Sequence, residues 1–175
     1  MRYLIIALLA MTTAVSAQTE YEIATSDWPA KTYMAHRDTV AYADIGQFFG
    51  QYFPIGYQAV AGTGLVPGAA TGLYWSLDEE SDMFNMAAAV PFTGDAPDTL
   101  PEGFEIVEVP ESQVLSTDYY GPYETLSQAH DAFDAYMSAQ EMEPAFLVVE
   151  EYVTDPTTEP DSSKWLTRIH YLFPR

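Results

Sequence analysis

The 175-residue chain has no cysteine, and only six lysines and arginines stand against 26 aspartates and glutamates. The missing thiol excludes disulfides, thiolate metal sites, a cysteine nucleophile and a lipid carried on cysteine, so packing alone must hold the fold. The scarcity of bases leaves a formal charge of −20. A field of that sign repels nucleic acid and anionic membranes and attracts cations. An adaptation to salty surroundings would leave the same signature. The acids form no tail, since 14 precede residue 110 and 12 follow it.

Ligand-type motifs are equally sparse. His36, His130 and His170 lie far apart without metal-ligand spacing, so no metal is expected. His130 falls on an apolar helical stripe and reads as a core side chain. "AGTG" at 61–64 lacks the lysine and hydroxyl residue of a phosphate loop, and no G-x-S-x-G serine motif occurs. Long apolar runs are absent beyond the start. "MRYLIIALLAMTTAVSA" has a basic residue, an apolar stretch from Leu4 to Met11 and a small-residue end, the order of a secretory signal peptide. The stretch is shorter than the ~20 residues of a spanning helix. Cleavage after Ala17 is expected, giving a periplasmic or secreted protein with no membrane insertion and one domain over 18–175.

What the sequence does contain is a repeat. Residues 21–92 and 104–174 align in order: Tyr21-Glu22-Ile23 with Phe104-Glu105-Ile106, Pro29 with Pro110, Tyr42 with Tyr123, and Pro91 with Pro174. An offset of 81 serves the early part of each half and 77 the later part, where Pro67 meets Pro144. Each half reads as strand, strand, helix, strand, strand. Phe104–Val109 and Gln113–Tyr120 are expected to form a hairpin about Pro110-Glu111. Leu126, His130, Phe133 and Met137 share one face of a helix over 123–140. Phe48, Tyr52 and Phe133 read as core, and Pro54 should end or kink the first helix near Phe53. Ala145–Val153 and Trp165–Phe173 close the second half. The fold class is α+β: a duplicated unit with pseudo-twofold symmetry, an antiparallel sheet and helices on one face.

"GPYETL" (121–126), "EEYVTDP" (150–156) and "LTRIHYLFP" (166–174), with "AHRDTVAYADIGQFF" (35–49) and the stretch 72–91, carry a resemblance. The chain resembles the GyrI-like small-molecule-binding domain, also called the AraC-type effector-binding domain. That family includes a bacterial gyrase inhibitor protein and the drug-sensing domains of multidrug-response regulators. The resemblance covers nearly all of residues 18–175. It implies a concave site between the halves for aromatic, often cationic compounds, built from stacked rings and a carboxylate. The family's Glu-x-Tyr pattern falls on Glu150 and Tyr152.

Strand alternation puts Phe146, Val148, Glu150 and Tyr152 on one face and Ala145, Leu147, Val149, Glu151 and Val153 on the other. The second, more apolar set is expected to pack on the helices, leaving Glu150 and Tyr152 to the concavity. The offset of 77 adds Trp75 as the ring equivalent to Tyr152. Tyr119 and Tyr120 end a strand on opposite faces, so one of them at most lines the site. Tyr33, Tyr171 and Trp165 are further wall candidates. Arg168, where the family tends to carry an acid, is a candidate to neutralise Glu150.

The expected function is small-molecule binding without catalysis, of an amphipathic, aromatic or cationic ligand. A hydrolase of small electrophiles with Glu150 as general base, its pKa raised by an aromatic pocket, is the enzymatic alternative. An interaction protein with a filled concavity is a third. No cofactor is expected; porphyrin binding, known for similar duplicated folds, finds no axial ligand here.

Overall fold

The computed structural model describes residues 21–175, so the proposed signal segment lies outside the described residues. Eight antiparallel strands form one sheet: β1 (Ala24–Trp28), β2 (Lys31–Ala41), β3 (Ala70–Asp78), β4 (Met83–Phe92), β5 (Phe104–Val109), β6 (Ser112–Tyr120), β7 (Leu147–Tyr152) and β8 (Leu166–Phe173). Helix α1 (Ile45–Gly62) lies between β2 and β3, and α2 (Ser127–Ala139) between β6 and β7. The chain order is that of a twice-repeated strand-strand-helix-strand-strand unit.

The sheet order is β1-β6-β8-β7-β3-β4-β2-β5. The expected hairpin between β5 and β6 is not formed: β5 pairs with β2, and β6 with β1 and β8. The reason is a crossing of two long chains. Trp28↔Ser112 and Lys31↔Val109 belong to one antiparallel register that continues across Pro29-Ala30 and Pro110-Glu111. Proline donates no ladder hydrogen bond, so pairing breaks there. The break also fixes the shape. In a flat sheet β1 and β2, six places apart, would be separated by about 29 Å. The two residues joining them reach about 11 Å at most. The sheet therefore curls until its edges meet.

Curling gives the sheet an inside. Trp28, Tyr33, Leu73, Val109, Val114 and Val149 belong to one buried cluster drawn from all eight strands and from neither helix. The helices cover the outer face. α1 packs Phe48, Phe49 and Val60 on β2 and β4, and α2 packs Ala129 and Phe133 on β6 and β8. Phe48 and Phe133 are core, as their spacing indicates, and Tyr52 is half-buried and stacked on His36. Pro54 does not end α1, which runs on to Gly62. A proline costs a helix one hydrogen bond, to the carbonyl four residues back; Phe48, Phe49 and Val60, buried on both sides of it, hold the helix to the sheet.

The registers relate the halves. Thr32↔Phe92 in the first half corresponds to Gln113↔Phe173 in the second, both residues shifted by 81. Thr71 pairs with Ala89, and Val149 with His170, which lies 81 beyond Ala89. Thr71 is thus equivalent to Val149, and β3 to β7 with an offset of 78 rather than 77. A slip of one residue in a strand moves every side chain to the other face, and the consequence falls on the site.

Candidate functional site: a polarised cavity between the helices

A cavity of about 1520 Å³ opens on the outer face, where α1 and α2 diverge over β3, β4, β7 and β8. Glu150 stands in its floor with only 5% of its surface exposed. His130 Nε2 on α2 is 2.8 Å from Glu150 Oε1. The Tyr74 hydroxyl donates to Oε2 at 3.0 Å, and the Tyr152 hydroxyl donates to the same oxygen. The other ring nitrogen of His130 lies 2.9 Å from the Tyr171 hydroxyl. Both carboxylate oxygens are therefore engaged, by an imidazole and two phenols.

The electrostatics follow. Burial pushes the Glu150 carboxyl up, but hydrogen bonds and charge from His130, with the two phenols, hold it below its ordinary value. Burial disfavours the His130 imidazolium, and Glu150, Asp134 and Asp131 outweigh it, so the ring titrates above its ordinary value. The two form an ion pair at mildly acidic pH. Burial and the Glu150 charge push the Tyr74 and Tyr152 phenols well up, which keeps them neutral donors.

Tyr152 is fixed by its neighbours: Phe49, Phe53 and Tyr123 surround the ring with centroids 5.5, 6.0 and 5.4 Å away. Such tilted and edge arrangements suit aromatic quadrupoles. Glu124, Asp131, Asp134 and Asp155 add carboxylates to the lining. No lysine or arginine among the described residues joins them. Among the described residues, no group of three or more histidines and acids is arranged to hold a metal.

Face assignment departs from the sequence reading. Glu150 and Tyr152 share a face, as alternation requires, but it is the helix-bearing face. Leu147 and Val149 point instead into the curl, whose interior needs the apolar set. Glu151 lies on that inner side, where Lys31 Nζ donates to it at 2.6 Å and His170 Nε2 is 3.4 Å away. Burial raises its carboxyl, and these two bases bring it down to about 2.

The proposed walls divide. Tyr171 and Tyr152 border the cavity. Trp75 also borders it, but its ring carries Arg37 at 3.9 Å and packs against the inner cluster. Tyr74, not Trp75, reaches Glu150, because the offset of 78 makes Tyr74 the equivalent of Tyr152. Tyr33 is fully buried in the inner cluster. Tyr119 is buried against α2, its hydroxyl donating to the Pro122 carbonyl at 2.8 Å, and Tyr120 is 62% exposed; neither lines the cavity. Trp165 lies beside Tyr123, the rings tilted by 37° with centroids 5.0 Å apart, donates to the Glu159 carbonyl and does not line the cavity. Arg168 does not neutralise Glu150; it faces Asp118 at 3.3 Å. That part belongs to His130, read from its stripe as core.

The twofold relation pairs each second-half residue of the site with a counterpart in the first half. The one-turn helices that precede α1 and α2 begin at Tyr42 and Tyr123, 81 apart, so Phe49 is equivalent to His130. Gly72 is equivalent to Glu150, and Val90 to Tyr171. In the first half the Phe49 ring fills the space above Gly72, where an added Cβ would lie 3.0 Å from Phe49 Cζ and 2.8 Å from Tyr74 Cε2. In the second half the same positions hold a carboxylate, an imidazole and a phenol.

A family model described as the GyrI-like small molecule binding domain matches residues 20–171. The chain belongs to the GyrI-like family. The EcmrR C-terminal domain has the same fold, with a TM-score of 0.71 and 18% identity, over 89% of this chain and 99% of that one. EcmrR in a DNA-bound transcription complex gives a TM-score of 0.75 at 17% identity over 89% of this chain, which spans only 58% of that regulator. SAV2435, solved with tetraphenylphosphonium bound, gives 0.57 at 15% identity over 87% of this chain and 93% of that one. A hydrolase from Listeria innocua gives 0.57 at 12% identity over 90% and 94%. No curated protein matches. The GyrI-like domain is a small-molecule-binding module, and these likenesses extend the shared fold to proteins of differing use.

Proposed function

We propose that this GyrI-like domain binds an amphipathic organic cation in the cavity between its helices, without chemistry, after export to the periplasm or beyond. One observation carries the reading: a buried anion, Glu150, lies among aromatic rings in a cavity whose other charged groups are acids, His130 excepted. A cation over tyrosine faces gains ~0.5–2 kcal/mol per contact, and the carboxylates add attraction while rejecting anions. The bound tetraphenylphosphonium of SAV2435 supports the same class of guest.

Hydrolysis is the weaker reading, although some proteins of this fold are hydrolases. A general base works best with a pKa near the operating pH. Glu150 is instead held low, with both oxygens already accepting hydrogen bonds. Export rests on the opening seventeen residues, and a mature protein starting at Gln18 is what N-terminal sequencing of the extracytoplasmic fraction should find.

The binding test uses two probes of nearly one shape and opposite charge, tetraphenylphosphonium and tetraphenylborate. Calorimetry should show the phosphonium binding at least ten times more tightly. Equal affinities, or a preference for the borate, would refute a cation site.

A further inference from the structure

The cavity is not uniform, and its two walls differ in kind. α1 presents Gly46, Phe49, Gly50 and Phe53, with Phe84 and Leu77 beyond, and no charged side chain from α1 lines the space. α2 presents Ser127, His130, Asp131 and Asp134. The glycines matter because a Cβ built at Gly46 or Gly50 meets nothing within 4 Å. The missing side chains leave open volume beside the phenyl rings. At its outer end this apolar lobe has an exposed lip, with Tyr42 and Leu77 56% and 45% exposed. The volume of about 1520 Å³ exceeds the ~300–1,000 Å³ usual for compact ligands.

Resting on the cation-binding reading above, we infer that the natural ligand class is an elongated cationic amphiphile. Its charged head lies at Glu150 and the α2 acids, and its hydrocarbon tail runs along α1 past Gly46 and Gly50. A compact cation would leave the glycine-lined lobe wet. A tail excludes that water and gains affinity with each methylene, at no charge cost, because that wall carries none.

The experiment is a chain-length series, butyl-, octyl- and dodecyltrimethylammonium, each titrated by calorimetry below its micelle concentration. Wild-type affinity should rise about threefold to fourfold per methylene while the tail lies in the lobe, the fold-change equivalent to ~0.8 kcal/mol per buried CH2. Gly50→Leu fills the lobe. It places no strain on the helix and should fold at least as stably, since glycine is a poor helix residue. The gain from butyl to dodecyl should shrink at least tenfold in that variant, and melting curves confirm its folding. A second variant, Asp134→Asn, should weaken all three compounds by a similar factor. An affinity independent of chain length, with the phosphonium still preferred over the borate, would overturn the tail lobe and leave the cation site standing. An undiminished gain in Gly50→Leu would overturn it too. If no cation of any length binds, the cation site itself falls.

Discussion

Glu150→Gln is the substitution that most directly tests the electrostatics of the cavity. Gln is isosteric, and its amide oxygen can accept from His130 while its NH2 group meets the phenol oxygens of Tyr74 and Tyr152, so the packing is kept. What changes is charge. Because both carboxylate oxygens are already engaged, a cationic guest would have to sit behind the tyrosine rings, at a separation on the order of 6 Å. At an effective dielectric of about 20, that separation is worth about 3 kcal/mol, or roughly a hundredfold in affinity. The full value applies only when His130 is neutral. With the imidazolium 2.8 Å from Glu150 the pair is a dipole, and its attraction for a third charge largely cancels.

The linkage has a definite sign. His130 titrates above its ordinary value, so its proton is lost as pH rises through that raised pKa. Glu150, held low, stays ionised throughout. Affinity for tetraphenylphosphonium, whose charge is fixed, should therefore rise from pH 5.5 to pH 9, with up to one proton released per cation bound. In Glu150→Gln the loss should approach roughly a hundredfold once pH has risen past the raised His130 pKa, and should be much smaller below it. Calorimetry in buffers of differing ionisation enthalpy measures both the affinity and the proton count. An unchanged affinity at pH 9, or a wild-type affinity flat with pH, would refute the coupling of the imidazole to the guest.

Other perturbations follow from the same contacts. His130→Phe installs the residue of the equivalent position, Phe49, and strands the Glu150 charge. Urea denaturation at pH 5.5 should show a loss of up to ~3–5 kcal/mol, smaller at pH 9. The native pair stabilises above the ordinary carboxylate pKa, near 4.3, and that stability fades as pH rises through the raised His130 pKa. Gly72→Ala drives a Cβ to 2.8 Å from the Tyr74 ring, and should cost ~1–3 kcal/mol as an overpacked site. It should also weaken cation binding by displacing Tyr74 from Glu150. Tyr119→Phe removes the hydroxyl that donates to the Pro122 carbonyl, costing ~0.5–1.5 kcal/mol in denaturation. Phosphonium affinity should not move, because Tyr119 lies outside the cavity.

Much of the architecture was readable because the repeat carries it. Pro29 and Pro110, 81 apart, mark the crossing of the two long chains, and Tyr42 and Tyr123 begin the turn before each helix. The hairpin expected about Pro110 failed on the same residues. A proline between two alternating runs signals a break in pairing but not its partner, and the partner of β5 is β2, more than sixty residues earlier. For a related reason, proline within α1 does not end the helix. Its helix cost is set against burial of Phe48, Phe49 and Val60, which no local pattern displays.

The site depended on a single residue of register. With β3 and β7 offset by 77, Trp75 stands for Tyr152 and Leu73 for Glu150; with the observed 78, Tyr74 and Gly72 take those places. Gaps between strands accumulate such one-residue errors, and each exchanges the faces of a strand. The ladder corrects it, because Thr71 and Val149 are held by Ala89 and His170. Once Gly72 is recognised as the counterpart of Glu150, and Phe49 of His130, the asymmetry acquires a physical reason. A buried carboxylate without partners would be prohibitive to hold ionised, so the half that carries it must also carry donors. His130 and Tyr171 belong to that half, and Tyr74 reaches across the β3–β7 seam from the other. The glycine in the first half is the complement: Phe49 stacks over it and supports Tyr152, and the charge stays with one lobe while the other remains open to hydrocarbon.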